Sequence, residues 1–497
     1  MIGYIILAIV VIFIAVLLIR TAAFKPAPAP AEEFGDVEFD KERAADCLAQ
    51  LVRCKTVSYT DHSLEDDAEF EKLIGLLPSL YPNVFKTCDF TRLADRGILF
   101  RWPGQASSNG AAITSQSAKG PAACTADDGP SVLMAHYDVV PVETAGWDRD
   151  PFCGEFIDGT LYGRGTLDTK VTFNGALFAA DTLIAKGFVP KKDVYMAFSG
   201  QEEINGKGAV HIVDWFLERG IEPAMVVDEG GAVVEGVFPG VSGSCALIGI
   251  AEKGLMNVDF KLDTNGGHAS APAPHTPVGR LSKACVDIEN NPCRSHFTEP
   301  VLKMFDTLGR HSSFLYRMIF ANLWCFGGVL DMICKKSGGE LNALVRTTTA
   351  FTQMSGSKAN NVIPPSASMT ANVRINPADT SKTVLEHYRS VIKDPEVKIE
   401  ANVEAEPSRI SRTDVDGWER VCRAIRGTWK GTLVSPYLMV QCSDSRHYGK
   451  LSDRVYRFSA MDLTSEERRM IHGSNERIRP DCLFRAVEFY IRLIEQC

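Results

Sequence analysis

Residues 131–203 constrain this chain more than any other stretch, because three polar clusters stand in them at spacings that a single strand–helix–strand unit can gather. The clusters are His136-Tyr-Asp138, Gly163-Arg-Gly-Thr-Leu-Asp168-Thr-Lys170 and Gly200-Gln-Glu202-Glu203. The first and third each follow an apolar run of strand length, at 132–135 and 194–198. Between them, 171–185 reads as a helix closed by Gly187 and Pro190. Strand, helix, strand implies parallel pairing, and in such sheets ligands collect beyond the carboxyl ends of the strands. His, Asp and Glu side chains from separate segments then converge on one crevice. Imidazole with carboxylate is the donor set of a hard or borderline divalent metal. His136 offers a neutral nitrogen, and Asp168 has two oxygens with which to bridge two ions. Asp138, two residues beyond His136, points the same way and can accept the other ring N–H, which fixes the tautomer.

The theme returns at 224–231, where an apolar strand runs into Asp228 and then glycines. Asp228 is therefore a fourth candidate ligand. From 246 the pattern changes to strand-like runs at 246–250, 255–262 and 367–375, with helices at 277–289 and 381–392. That combination predicts an α+β unit of two helices on an antiparallel sheet. Within it, 314–334 is strongly apolar but broken by Arg317, Asn322 and two glycines, which reads as a buried or surface-inserted helical excursion, with a second membrane span as the rival. Helix–strand alternation resumes after 417 and carries Ser443-Asp-Ser-Arg-His447 and His472-Gly-Ser-Asn-Glu476.

A chain of 497 residues exceeds one ordinary core, so two domains are expected. A net charge of −9 without a Lys/Arg run speaks against nucleic acid as a partner. Residues 2–19 are uncharged and almost wholly aliphatic, just reaching spanning length, and lack the basic start and small-residue cleavage site of a standard signal peptide. They predict a retained single-pass anchor, with a cleaved or uncleaved secretion signal as the rival. A Pro-Ala spacer at 25–31 and an acidic stretch at 32–40 follow, and 104–130, rich in Ser, Ala, Gly and Thr, reads as a hairpin insertion. Fourteen scattered cysteines without C-x-x-C pairs, and no N-x-[ST] sequon, fit a reducing or unglycosylated compartment.

Taken together, His136-x-Asp138-Val-Val-Pro, Gly163-Arg-Gly-x-x-Asp168-x-Lys, Glu202-Glu203, Asp228-Glu-Gly-Gly, Gly267-His268-x-Ser, Asn361-Val-Ile-Pro and His472-Gly resemble the M20 family of zinc peptidases. Trp147-x-x-x-Pro151-Phe, Arg346-Thr-Thr-Thr349 and His472-Gly-x-Asn-Glu476 are similar to its carboxypeptidase S and PM20D1-like branch. The resemblance implies an α/β fold: a mixed-sheet zinc-exopeptidase catalytic domain at 41–245 and 408–497, with a smaller α+β lid of the dimerisation type inserted at 246–407. A transmembrane helix at 2–20 and a linker at 21–40 precede them.

By the same resemblance, two zinc ions per subunit are expected, with cobalt or manganese as substitutes. His136 and Asp228 would hold one, Glu203 and His472 the other, and Asp168 would bridge. Glu202 would be the general base, Asp138 its catalytic neighbour behind His136, and His268 a donor to the oxyanion. Arg374 would grip a free carboxylate, and Asn361 would touch substrate. The expected partners are a peptide or N-acyl amino acid substrate, the membrane through the N-terminal helix, and a second copy of the chain through the lid. The expected activity is hydrolysis of an amide next to a free carboxylate. Its rivals are synthesis by reversal, dipeptidase action, or an inactive tethered binding module.

Overall fold

The computed structural model describes residues 1–26, 32–105, 128–236, 238 and 240–497. The insertion read at 104–130 falls for the most part outside them, as does most of the Pro-Ala spacer. The chain divides into two compact units. One comprises 26–250, 411–437 and 443–497, and the other comprises 1–25, 251–410 and 438–442.

The larger unit is built on an eight-stranded mixed sheet. Its centre is a parallel block in the order Val194–Ser199, Ser131–His136, Met225–Glu235 and Val455–Asp462. Antiparallel strands Gly97–Trp102 and Asp89–Leu93 extend one side, and Ser244–Glu252 and Leu433–Met439 complete the other. The apolar runs in Ser131–His136 and Val194–Ser199 are buried along their length, and Val455–Asp462 is buried up to its last residue, as strands covered on both faces must be. Helix Lys170–Ala185 packs between the strand Ser131–His136 and the C-terminal helix Pro480–Ile494, which is why its residues are buried nearly all round. Lys170, at its start, is buried with Nζ donating to the carbonyls of Leu51 and Cys54 at 3.0 and 2.7 Å. Burial pushes that ammonium down to about 8. The short helix Lys41–Val52 begins at the Asp40 side chain, which accepts the Arg43 N–H as an N-cap.

The smaller unit holds a four-stranded antiparallel sheet, Thr348–Ser355, Ser366–Ile375, Gly254–Asp263 and Lys398–Ala405. Strict alternation along Ser366–Ile375 puts Ala367, Met369, Ala371, Val373 and Ile375 in its core. Helices Pro277–Asn290 and Ser381–Val391 cover that face through Leu281, Ile288, Val384 and Tyr388. The same unit contains the N-terminal helix Ile2–Ala23, in which only Leu17 and Thr21 are buried, and the helices Phe314–Ala321 and Leu323–Ser337. By length and composition Ile2–Ala23 suits a membrane anchor or a signal sequence.

Candidate metal centre

His136 is the last residue of its strand and pairs in register with Ser199, the last residue of the neighbouring strand. The chain after Ser199 therefore turns beside His136, and a single 3-10 turn, Glu202–Ile204, carries the two acids. Asp138 holds that turn: its carboxylate accepts the backbone N–H groups of Glu202 and Glu203, both at 3.2 Å, and the Ser58 hydroxyl at 2.7 Å. Asp138 also faces His136 Nδ1, with its main-chain oxygen at 3.0 Å and Oδ1 at 3.3 Å. Nδ1 is thus engaged and Nε2 is left for the crevice.

Asp168 lies between two imidazoles. Its Oδ1 is 3.1 Å from His136 Nε2 and its Oδ2 is 3.0 Å from His472 Nε2. Glu203 Oε2 stands 3.2 Å from His472 Nε2, and Glu229 Oε1 stands 3.3 Å from His136 Nε2. Among the described residues, two sets of donor atoms could hold a metal ion: His136, Asp168 and Glu203, and His136, Glu202 and Glu229, each within 4.8 Å of one another. His472 reaches the centre from a left-handed backbone, φ 58°, a conformation that non-glycine residues adopt chiefly where the surroundings enforce it.

The sequence reading assigned a ligand role to Asp228, whereas the structure directs its neighbour Glu229 at His136. Asp228 is buried and its Oδ2 accepts the Ser445 N–H at 2.9 Å. The pairing with Val455–Asp462 shifts register after Asp228, and the two adjacent acids take different partners, the Ser445 N–H and the His136 ring. Just beyond them the backbone runs close to the neighbouring strand at Gly231, where a Cβ would lie 1.9 Å from the Leu247 carbonyl oxygen.

The charges are unbalanced without a cation. Burial, with neighbouring carboxylates, raises Glu202 well above the usual carboxylate range and pushes Glu203 and Glu229 up to about 7. Asp168 is burdened by burial but held far below that range by hydrogen bonds from His136 and His472. His472 is lifted to about 10 by its hydrogen bonds to Asp168 and Glu203. Glu203 Oε1 is buried with no hydrogen-bond partner. Such a set, acids forced to share protons around two imidazoles with one oxygen orphaned, fits divalent ions in place of those protons.

A second layer was not foreseen in the sequence. Glu476 is fully buried; its Oε1 accepts the N–H groups of Gly165, Leu167 and Asp168 at 3.1, 2.7 and 3.2 Å. Its Oε2 pairs with Arg164 at 2.6 Å, and Arg164 also donates to the Gly473 carbonyl at 2.8 Å. One carboxylate thereby ties the loop bearing Asp168 to the loop bearing His472. Asp444 accepts the Ser199 hydroxyl, and its buried Oδ1 is unpartnered. Ser58, Glu229 and Asp444 had no sequence signal beyond an acid beside an acid or a polar run, whereas Glu476 sits inside the His472-Gly-Ser-Asn-Glu476 motif.

The remaining predicted residues belong to the smaller unit. His268 and Asn361 come together there: His268 pairs with Val362 across a two-residue ladder, and the Ala269 N–H donates to the Asn361 carbonyl at 2.9 Å. The His268 ring lies exposed, Nδ1 2.7 Å from Ser270 Oγ. Arg374 lies on the sheet face opposite the helices, with Nε donating to Asn372 Oδ1 at 3.2 Å and Nη1 3.4 Å from Cys442 Sγ.

Comparison with known proteins decides the family. The profile of peptidase family M20/M25/M40 matches residues 132–496, which includes every residue of the centre except Ser58. The chain belongs to that family. As an M20 protein it is a metallopeptidase or amidohydrolase, and its relatives agree. It is 34% identical to the N-fatty-acyl-amino acid synthase/hydrolase PM20D1 of Xenopus tropicalis over 98% of this chain and 93% of that protein. It is 32% identical to the probable carboxypeptidase S-like 2 of Dictyostelium discoideum, over 90% of this chain and 84% of that one. The M20 metallo-carboxypeptidase Sso-CP2 of Sulfolobus solfataricus shares the fold, with a TM-score of 0.64 at 17% identity, covering 91% of this chain and 98% of that one.

Proposed function

We propose that this M20 enzyme is a membrane-anchored, two-zinc amidohydrolase that cleaves the amide of an N-acyl amino acid or the last peptide bond of an apolar peptide. The observation that carries the reading is Asp168, one carboxylate oxygen on each of two imidazoles, with Glu229 beside one and Glu203 beside the other. His136, Asp168 and an acid of the Asp228–Glu229 pair would hold one ion, and Asp168, Glu203 and His472 the other. Ions held there supply Lewis-acid polarisation of the scissile carbonyl and a more acidic water. Glu202 takes the proton from the attacking water and later delivers it to the departing amine, a role that suits a carboxyl raised by burial. Asp138 positions both Glu202 and His136 and so keeps the base and the imidazole in fixed relation. His268 and Arg374 are assigned to substrate by their chemistry: an imidazole able to donate to a developing oxyanion, and a planar fork suited to a carboxylate.

The substrate class rests on the relatives, one named for N-fatty-acyl amino acids and one as a carboxypeptidase. Purified full-length protein is to be offered N-fatty-acyl amino acids and dipeptides, each with a free and an amidated carboxylate. Hydrolysis of the free acids with little turnover of the amides is expected. Arg374→Ala should weaken the free acids by a charge-assisted bond of about 1.5–3 kcal/mol and leave the amides nearly unchanged. Equal losses on both would remove Arg374 from carboxylate recognition.

A further inference from the structure

We infer that the helix pair Phe314–Ala321 and Leu323–Ser337 is a second membrane element, lying in the headgroup and upper acyl region of a bilayer against the N-terminal helix. The inference rests on the anchor reading of Ile2–Ala23. The two short helices meet at 110°, so they form a bent wedge and not a straight span. On the second helix Trp324, Val329, Met332 and Ile333 are exposed along one face, Trp324 at 58% and Met332 at 62%. Val329, Met332 and Ile333 follow Trp324 by five, eight and nine residues, which keeps the four on one broad side of the helix. Phe314 and Leu315 extend the apolar surface from the first helix, each 60% exposed. Six large apolar side chains exposed on one helix pair are more than a water-facing surface ordinarily carries.

The charges in the pair are arranged for an interface. Asp331 is paired with Arg346, and Arg317 donates to the Ser312 carbonyl at 3.0 Å. Lys335 and Lys336 stand exposed in the last turn, where lipid phosphates would meet them.

The pair is also fastened to the N-terminal helix by a polar joint. Asn322, fully buried at the bend, donates to the Leu17 carbonyl and the Thr21 hydroxyl, both at 3.3 Å, and Arg20 Nε donates to the Ala321 carbonyl at 3.1 Å. The Trp324 ring packs edge-on against Phe13, with centroids 5.8 Å apart. Phe13 is six residues inside Ile19, the last apolar residue before Arg20, which is about 9 Å along a helix. A span that begins at Ile19 therefore carries Trp324 to about that depth, the depth of an interfacial helix and short of a crossing. The occupant of the patch is lipid, because the surface it continues is the bare wall of a helix that is apolar on every side.

The test is Trp quenching in full-length protein reconstituted into phosphatidylcholine vesicles that carry bromine on the upper acyl chain. The protein has six tryptophans. A lipid-bromine-dependent loss of emission is expected, abolished in Trp324→Phe and restored when Met332→Trp is added on the same face. Quenching that is equal in the parent and in Trp324→Phe overturns the inference. So does a Trp324 shielded from bromine, as a patch covered by a second copy of the chain would be. Intact mass of the purified chain reports the anchor separately. Loss of residues 1–23 overturns the anchor reading, and quenching then stands as the test of the helix pair alone.

Discussion

At the scale of single residues, Glu202 and its neighbours carry distinct expectations. Glu202→Gln should keep its metal and lose turnover by ~10²–10⁴, the usual effect of removing a general base. Asp168→Ala should lose metal outright, because its two oxygens stand between both imidazoles. Metal analysis beside kinetics separates the two, and a Glu202→Gln protein that drops its metal would make Glu202 a ligand. The Asp228–Glu229 pair is open to the same assay. The geometry predicts a larger loss of metal from Glu229→Gln than from Asp228→Asn; the reverse order would return the ligand role to Asp228. His447 supplies a pH expectation. Burial pushes its imidazole down to about 4 from an ordinary 6.5, and its Nε2 is buried without a partner. Between those values the unfolded chain binds a proton that the folded one refuses. Its contribution is therefore complete above pH 6.5 and declines as pH falls towards 4, by about 3 kcal/mol. Denaturation of His447→Gln across that window should show a shallower decline than the parent; equal slopes would clear His447 of the effect.

At the scale of elements, the site depends on two loops fastened by one buried ion pair. Glu476→Ala should lower stability by about 3–5 kcal/mol, since it leaves the Arg164 charge in the interior without its counter-ion. It should also lower metal occupancy, because three backbone N–H groups of the Asp168 loop lose their acceptor. Urea denaturation with metal analysis checks both, and a stable, fully loaded Glu476→Ala protein would show that the loops hold themselves. The elements themselves were largely legible. Strict alternation announces the strand Ser366–Ile375, and amphipathic spacing announces the helix Lys41–Val52, whose Asp40 cap only the structure shows. The apolar runs that precede His136 and Glu202 end where the strands end. Less legible was anything decided by facing or by distance along the chain. Asp228 and Glu229 are equivalent to a reader of letters, and only the fold, which sets one on the Ser445 N–H and the other beside His136, distinguishes them. Glu476 and Arg164 are 312 residues apart, and no local period links them. The strand Ser244–Glu252 reads like the strands that follow it, yet it pairs with the large sheet. The break at Asn322 was visible as a polar residue in an apolar run, but not its partner in a helix three hundred residues earlier.

At the scale of the whole molecule, one unit carries the candidate metal centre and the other carries the N-terminal helix with the apolar helix pair. The anchor reading predicts that the chain is recovered at its full mass of 54.5 kDa in carbonate-washed membranes. A shorter chain in the soluble fraction would make Ile2–Ala23 a removed signal. Chemistry and address would then be properties of different elements, joined by a single polypeptide. The central claim is the two-ion centre, and it is met most directly by counting metal against turnover in the purified full-length protein as a chelator strips it. The account predicts two ions per chain in the active protein, loss of N-acyl amino acid hydrolysis as they leave, and recovery on adding zinc. Undiminished hydrolysis by a chain holding no metal would contradict it.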